Sequence, residues 1–158
     1  MKLLKYVFLF LPVFCQAHAS SCDLGSINEL ANTWKLFRKA SLTGSPKEIS
    51  RFYKFPLTVV SPADEALTFK INKNKFLDKY NSLFKEIAPN EETELFLELK
   101  ASTENDFKNA SQQFQVDGCS RTGHAEIDSY KFLWSKERGW HVSEVSPPGY
   151  SIMRQEAK

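Results

Sequence analysis

Apolar and polar positions alternate from Tyr130 to Ser135, with Tyr130, Phe132 and Trp134 on one side and Lys131 and Ser135 on the other. Successive strand side chains point to opposite faces, so this run predicts a strand with one aromatic face. Glu137-Arg138-Gly139 suits a three-residue hairpin loop, because a type I turn followed by a left-handed residue favours glycine at its last position. The returning strand then puts Trp140 and Val142 beside Phe132 and Trp134. The result is a continuous aromatic wall, and something else in the chain must shield it from water.

Two upstream segments carry the helical period needed to do so. Ser26-Ile27-Asn28-Glu29 is a capping box, and Ile27, Leu30, Ala31, Trp34 and Phe37 form one apolar stripe that runs to about Leu42 before Gly44. Ser45-Pro46-Lys47-Glu48 repeats the device for a short helix that has to end before Pro56. Asn72 or Asn74 caps a third helix with Phe76, Leu77, Tyr80, Leu83, Phe84 and Ile87 on one side, bounded by Pro89. Leu57–Ser61 and Ala66–Ile71 read as a hairpin around Pro62-Ala63-Asp64-Glu65. Residues 94–101 satisfy both templates, since Glu and Leu favour helix while Leu95, Leu97 and Leu99 alternate; strand is the preferred reading. Residues 102–111 read as loop, 113–119 as a strand, 124–135 as strand leading into the hairpin, and 151–158 as a flexible tail.

Two helices, a hairpin, a helix and a strand meander make an α+β chain, with a strongly curved antiparallel sheet packed on about three helices from the N-terminal half. On these elements the chain resembles the nuclear transport factor 2-like superfamily. The residues that carry the likeness are Trp34-Lys35-Leu36-Phe37, the capped helix at Ser45–Tyr53, Phe55-Pro56-Leu57, the Phe76–Phe84 helix and Gly139-Trp140-His141-Val142. The resemblance implies a cone-shaped domain over residues 20–150 with a pocket between helix and concave sheet. It implies no one use for that pocket.

Composition narrows the setting. Lys2 and Lys5, an apolar Tyr6–Phe14 and Ala17-His18-Ala19 form a secretory signal, with cleavage expected after Ala19 and roughly 140 residues left in one domain. The chain has 21 Lys and Arg against 19 Asp and Glu, so loss of the two leader lysines leaves it near neutral and gives no support for nucleic acid binding. No segment reaches the ~20 apolar residues of a membrane span. Of the three cysteines Cys15 leaves with the leader, and Cys22 and Cys119 are expected to pair, closing a loop of roughly a hundred residues. The competing arrangement is a lipoprotein anchored through Cys22, but the leucine expected three residues before that cysteine is absent.

Candidate chemistry is sparse. His124, Glu126 and Asp128 alternate along one strand and, without a bulge, share a face with Tyr130, Phe132 and Trp134. They form either a polar acid, base or metal site at the end of an apolar pocket or an exposed strand end. The second is favoured, because Ala125 and Ile127 are the more buriable residues. His141 is expected on the solvent side, and the two histidines outside the leader lack the spacing of a zinc site. Cys119 beside His124 reads as a disulfide cysteine before a nucleophile. Tyr53, Tyr80, Phe84, Phe132, Trp134 and Trp140 are the rings expected at a pocket if one exists, though core is the better reading for most. No cofactor is implied. The expected function is that of an exported, periplasmic or secreted, non-catalytic domain that binds a protein or a small apolar ligand, with an immunity-type inhibitor as its sharpest form and a homodimer allowed. The alternatives are an isomerase- or dehydratase-like enzyme and an accessory part of an envelope assembly.

Overall fold

A computed structural model describes residues 22–157. The expected signal peptide and its cleavage point lie outside the described residues. The elements are α1 (Ile27–Thr43), α2 (Pro46–Ile49), β1 (Tyr53–Val60), β2 (Thr68–Ile71), α3 (Lys73–Tyr80), β3 (Glu86–Ala88), β4 (Glu91–Glu92), α4 (Glu94–Ala101), β5 (His124–Ile127), β6 (Tyr130–Ser135), β7 (Gly139–Val145) and α5 (Tyr150–Glu156). This is an α+β fold. Both capping boxes form as the sequence predicts: Glu29 N donates to Ser26 Oγ and Glu48 N to Ser45 Oγ, while each glutamate accepts from its serine's backbone N–H.

The main sheet has the order β2-β1-β7-β6-β5. Its neighbours are antiparallel except β1 and β7, which run parallel, so the sheet is mixed where an antiparallel one was expected. The β6–β7 hairpin pairs Trp134 with Trp140 and Phe132 with Val142, so these four side chains do share a face. Gly139 has φ +69° at the left-handed position that the turn requires. At the other hairpin Asp128 takes φ 50°, and Ile127 pairs with Tyr130 across a two-residue turn. That turn sets the register: Ala125 and Ile127 join the aromatic face and His124 and Glu126 take the other.

α1 lies across the aromatic face. Trp34 and Phe37 are fully buried; the Phe37 ring stands 4.9 Å from Tyr130 and 5.8 Å from Phe132, and Trp34 is 6.3 Å from each. The Trp34 indole N–H donates to the Thr103 carbonyl at 2.8 Å, so the segment after α4 fixes the back of α1. α3 covers the β1 side, where Phe76 meets Tyr53 at 4.8 Å and Phe55 at 5.1 Å; the Phe55–Pro56 peptide is cis.

The far end of the wall is closed by the N-terminal strap. The Trp140 indole donates to Ser26 O and the Trp134 indole to Asp23 O, while Cys22 is disulfide-bonded to Cys119 as expected. A bonded Cys22 has no thiol left to carry lipid. The strap sits so close that a Cβ on Gly25 would fall 2.7 Å from the Trp134 ring, and Gly25 also has φ +81°. Only glycine meets both demands.

Five expectations of local structure change. Residues 94–101 form a helix, because Thr93 caps it and Leu95 and Leu99, four apart, are its buried pair; the apparent alternation is the helical spacing seen at every second leucine, and Leu97 faces water. Residues 106–113 form a 3-10 helix that starts in the segment read as loop and runs into the first residue of the one read as strand. Residues 113–119 form a tight loop, with Gly118 N donating to Gln115 O and Gln115 N to Cys119 O, held by bridges from Phe114 to Ser120 and Ser26 to Cys119. The tail is α5, anchored by buried Tyr150 and Met153, and Lys75 Nζ donates to the Ala157 carbonyl. The third helix also changes form, because Asn81–Lys85 is a π-helical turn that presents Leu83 and Phe84 to the core before β3.

No helix among the described residues is long and apolar enough to cross a membrane. The disulfide and this absence are compatible with a secreted or periplasmic protein.

The packing ranks two tryptophans. Trp34→Ala is expected to cost ~3–5 kcal/mol, as for other aromatic truncations in a core. Trp134 is only half-buried, so Trp134→Ala is expected to cost about 1–2 kcal/mol. Urea unfolding of both variants checks the order; equal losses would contradict it.

Candidate functional site

The space between helices and sheet is filled by rings. Tyr53, Tyr80 and Phe84 close around Phe76, with centroids 4.8, 5.1 and 5.2 Å from it, and Tyr80 stacks on Phe84 at 5.3 Å. Phe132 packs under α1, and Trp134 meets Trp140 at 5.8 Å beneath the strap. The six rings named from the sequence therefore pack in three sets: Tyr53, Tyr80 and Phe84 together, Phe132 against α1, and Trp134 with Trp140 under the strap. Burial pushes the Tyr53 and Tyr130 phenols well above their ordinary range, and Tyr80 is raised by burial against a smaller opposing effect of the Ser41 hydroxyl. Such phenols remain protonated and can donate a hydrogen bond but not accept a proton. The Ser41 hydroxyl, fully buried on α1, approaches Tyr80 without completing a hydrogen bond.

The other face of the sheet buries His141 near the β6–β7 turn but is exposed at Glu126 and Lys70, and charged chemistry collects there. Cross-strand partners share a face, so the pairings Glu126–Lys131, Lys131–Glu144, Glu144–Thr58 and Thr58–Lys70 line up five side chains in one row across β5, β6, β7, β1 and β2. Lys131 Nζ lies 2.9 Å from Glu144 Oε1 and 3.4 Å from Glu126 Oε1. The Glu144 hydrogen bond is the main reason that the lysine's pKa is raised, ahead of the attraction of both carboxylates.

Beside this row is a hollow of about 390 Å³. Glu65, Glu126, Asp128 and Glu144 line it with Lys131, and hydroxyls of Thr58, Ser61, Thr68, Ser129 and Ser146 complete the wall. Four carboxylates against one ammonium make it net acidic. The Asp128 carboxyl is raised by its partial burial first and then by the nearby charges of Glu98 and Asp106. Ser129 Oγ donates to Glu98 Oε2 at 2.6 Å, which ties the β5–β6 turn to α4 and holds the rim in place.

Of the three strand residues considered for acid–base work, Glu126 and Asp128 line this hollow. His124 does not; it is exposed on the edge strand, paired with Leu133. His141 corrects an expectation: it points away from Trp140 and Val142 as alternation requires, yet only 3% of it is exposed. Its Nδ1–H donates to Gly139 O at 2.9 Å, which fixes the neutral tautomer with the proton on Nδ1. Burial lowers the His141 pKa, and Arg138 and Lys54 push it the same way, against the Gly139 hydrogen bond. Among the described residues no group of three or more His, Cys, Asp or Glu side chains is placed to hold a metal ion. Sequence reasoning passed over Lys131, Glu144 and Thr58, although the alternation that buries Tyr130 and Phe132 is the same signal that sends Lys131 outward.

Comparison of the chain with protein-family models, with curated proteins and with solved structures returned no match.

The buried imidazole has a consequence for pH dependence. A folded-state pKa below the ordinary value means that the unfolded chain binds the extra proton first, so the contribution is intact above the ordinary histidine pKa and is lost as pH falls. Between about pH 7.5 and about pH 5 the wild type is expected to lose more unfolding free energy than His141→Asn. Parallel denaturation curves across that range would show that His141 is as free to ionise in the fold as outside it.

Proposed function

We propose that this chain is an exported, non-catalytic binding domain that engages the basic surface of a protein partner through the open face of its sheet. One observation carries the reading: the acidic hollow and charged row lie on the uncovered face, while the layer between helices and sheet is occupied by packed rings. Carboxylates held in register by three strands form a pre-organised surface for Lys and Arg groups.

Kinship with the nuclear transport factor 2-like superfamily is part of the same proposal, supported by the α+β element order. In this chain the helix–sheet interior serves as core and the binding surface is outside it. An immunity-type inhibitor, covering a basic site on a toxin, is the sharpest form of the reading. Export is supported by the leader-like sequence and by the disulfide.

The test is affinity capture from the envelope fraction with the tagged chain and with the isosteric double variant Glu126→Gln/Glu144→Gln, followed by mass spectrometry for proteins and small molecules. A stoichiometric protein partner is expected, retained about tenfold less well by the double variant at unchanged melting temperature and released by roughly 0.5 M salt. A partner held equally by both forms, or recovery of a small molecule alone, would overturn the reading in favour of another surface, an enzyme or a carrier.

A further inference from the structure

A second hollow, of opposite sign, lies at the corner where α2 meets α3. Ser45, Pro46, Lys47, Ser50 and Arg51 wall one side and Lys73 and Leu77 the other, around about 520 Å³. No carboxylate is in the wall. Glu48 follows Lys47 in α2, and its carboxylate is engaged by Ser45, whose N–H and hydroxyl donate to it at 2.8 and 3.0 Å. Those bonds are the main cause of its lowered pKa, with Arg51 a lesser one. Arg51 is thus partly balanced, whereas Lys47 and Lys73 make no ion pair among the described residues.

The corner is held in place from outside. Arg138 donates to the Arg51 and Tyr53 carbonyls at 3.2 and 2.9 Å, fixing the turn that carries Arg51 and adding a further positive charge beside it. Ser50 Oγ donates to Lys47 O at 2.8 Å, which fixes the backbone between the two cations. Two of the lining groups differ in kind: the Pro46 ring and the half-buried Leu77 side chain are apolar. A lining that mixes cations with apolar groups recognises two properties in one molecule.

We propose that this corner binds a small amphiphilic anion, a carboxylate or phosphate head on a short apolar body, with Lys47, Arg51 and Lys73 around the head and Pro46 and Leu77 against the body. The site goes beyond the acidic face and uses none of its residues, so either can fail without the other. Its ligand is a small molecule of opposite charge to the partner expected on the sheet.

The test is a heteronuclear amide-shift titration of the exported chain with octanoate, against octanol and acetate, in wild type and in Lys47→Gln/Lys73→Gln. Octanoate is expected to give saturable shifts confined to residues 45–51 and 73–77. Binding should weaken about fivefold or more in the double variant and in raised salt, and both octanol and acetate should bind more weakly than octanoate. The proposal is overturned by the absence of saturable shifts, by shifts centred elsewhere, by equal affinity in the double variant, or by octanol or acetate binding as well as octanoate. Because both lysines are exposed and unpaired, the variant is expected to keep the wild-type spectrum away from the corner, which separates lost binding from lost fold.

Discussion

The contact on which the rest depends is that of α1 with the centre of the sheet, where Trp34 and Phe37 enter the surface made by Tyr130 and Phe132. Aromatic pairs at these distances add directional preference to their area burial, and here they fix both the depth and the rotation of the helix. Everything else on that face is fitted around it. α3 and its π-helical turn bring Phe76, Leu83 and Phe84 to the β1 side, α5 contributes Tyr150 and Met153, and the strap closes over Trp134 and Trp140. The strap itself is too short to have a core of its own. It is ordered by the disulfide, by Ser120 N donating to Gly25 O and by Ile27 N donating to Gly118 O, so the last turn before α1 and the loop before β5 are one unit.

Committing one face of the sheet wholly to packing leaves the other free to be polar. The mixed pairing matters here, because β7 lies between β6 and β1 and so carries Glu144 into the middle of the open face, between Lys131 and Thr58. On an outer strand the same glutamate would be an isolated surface charge. In the middle of the row it is one of the two carboxylates in a carboxylate–ammonium–carboxylate arrangement whose spacing is set by backbone hydrogen bonds. Exposed ion pairs of this kind contribute little to folding. Their physical effect is to hold the charges in a fixed geometry on the face of the sheet.

What was legible in the sequence followed from period and capping. The two capping boxes, the α1 stripe, the β6–β7 register and the Cys22–Cys119 bridge depend on local patterns that the fold keeps. The failures share one cause, which is that a local pattern served two templates. Leu95, Leu97 and Leu99 alternate, but Leu95 and Leu99 also stand one helical turn apart, and the Thr93 cap decided between them. Ile152 and Met153 are too few to announce a helix, and α5 exists because Tyr150 and Met153 find a site on the body of the protein. The acidic hollow was legible only in part. Glu126 and Asp128 drew attention as potential acids, whereas Glu65 and Glu144 come from a turn and another strand, and no spacing rule joins them.

Near-neutral composition conceals the most useful feature of the surface. β1 starts next to Arg51 and Lys54, and its last residues, Thr58 and Val60, border the acidic hollow; β7 likewise starts beside Arg138 and ends near Glu144 and Ser146. A strand of this length spans roughly 20 Å, more than two Debye lengths in physiological salt. The two charges are therefore screened from each other, and the sum of the chain's charge says nothing about what either end attracts. Parallel pairing of β1 with β7 is what puts the basic starts of both strands at one end of the sheet and the acidic hollow that their last residues border at the other. In an antiparallel pairing the basic start of β1 would instead lie towards Glu144 near the end of β7, within reach of its field.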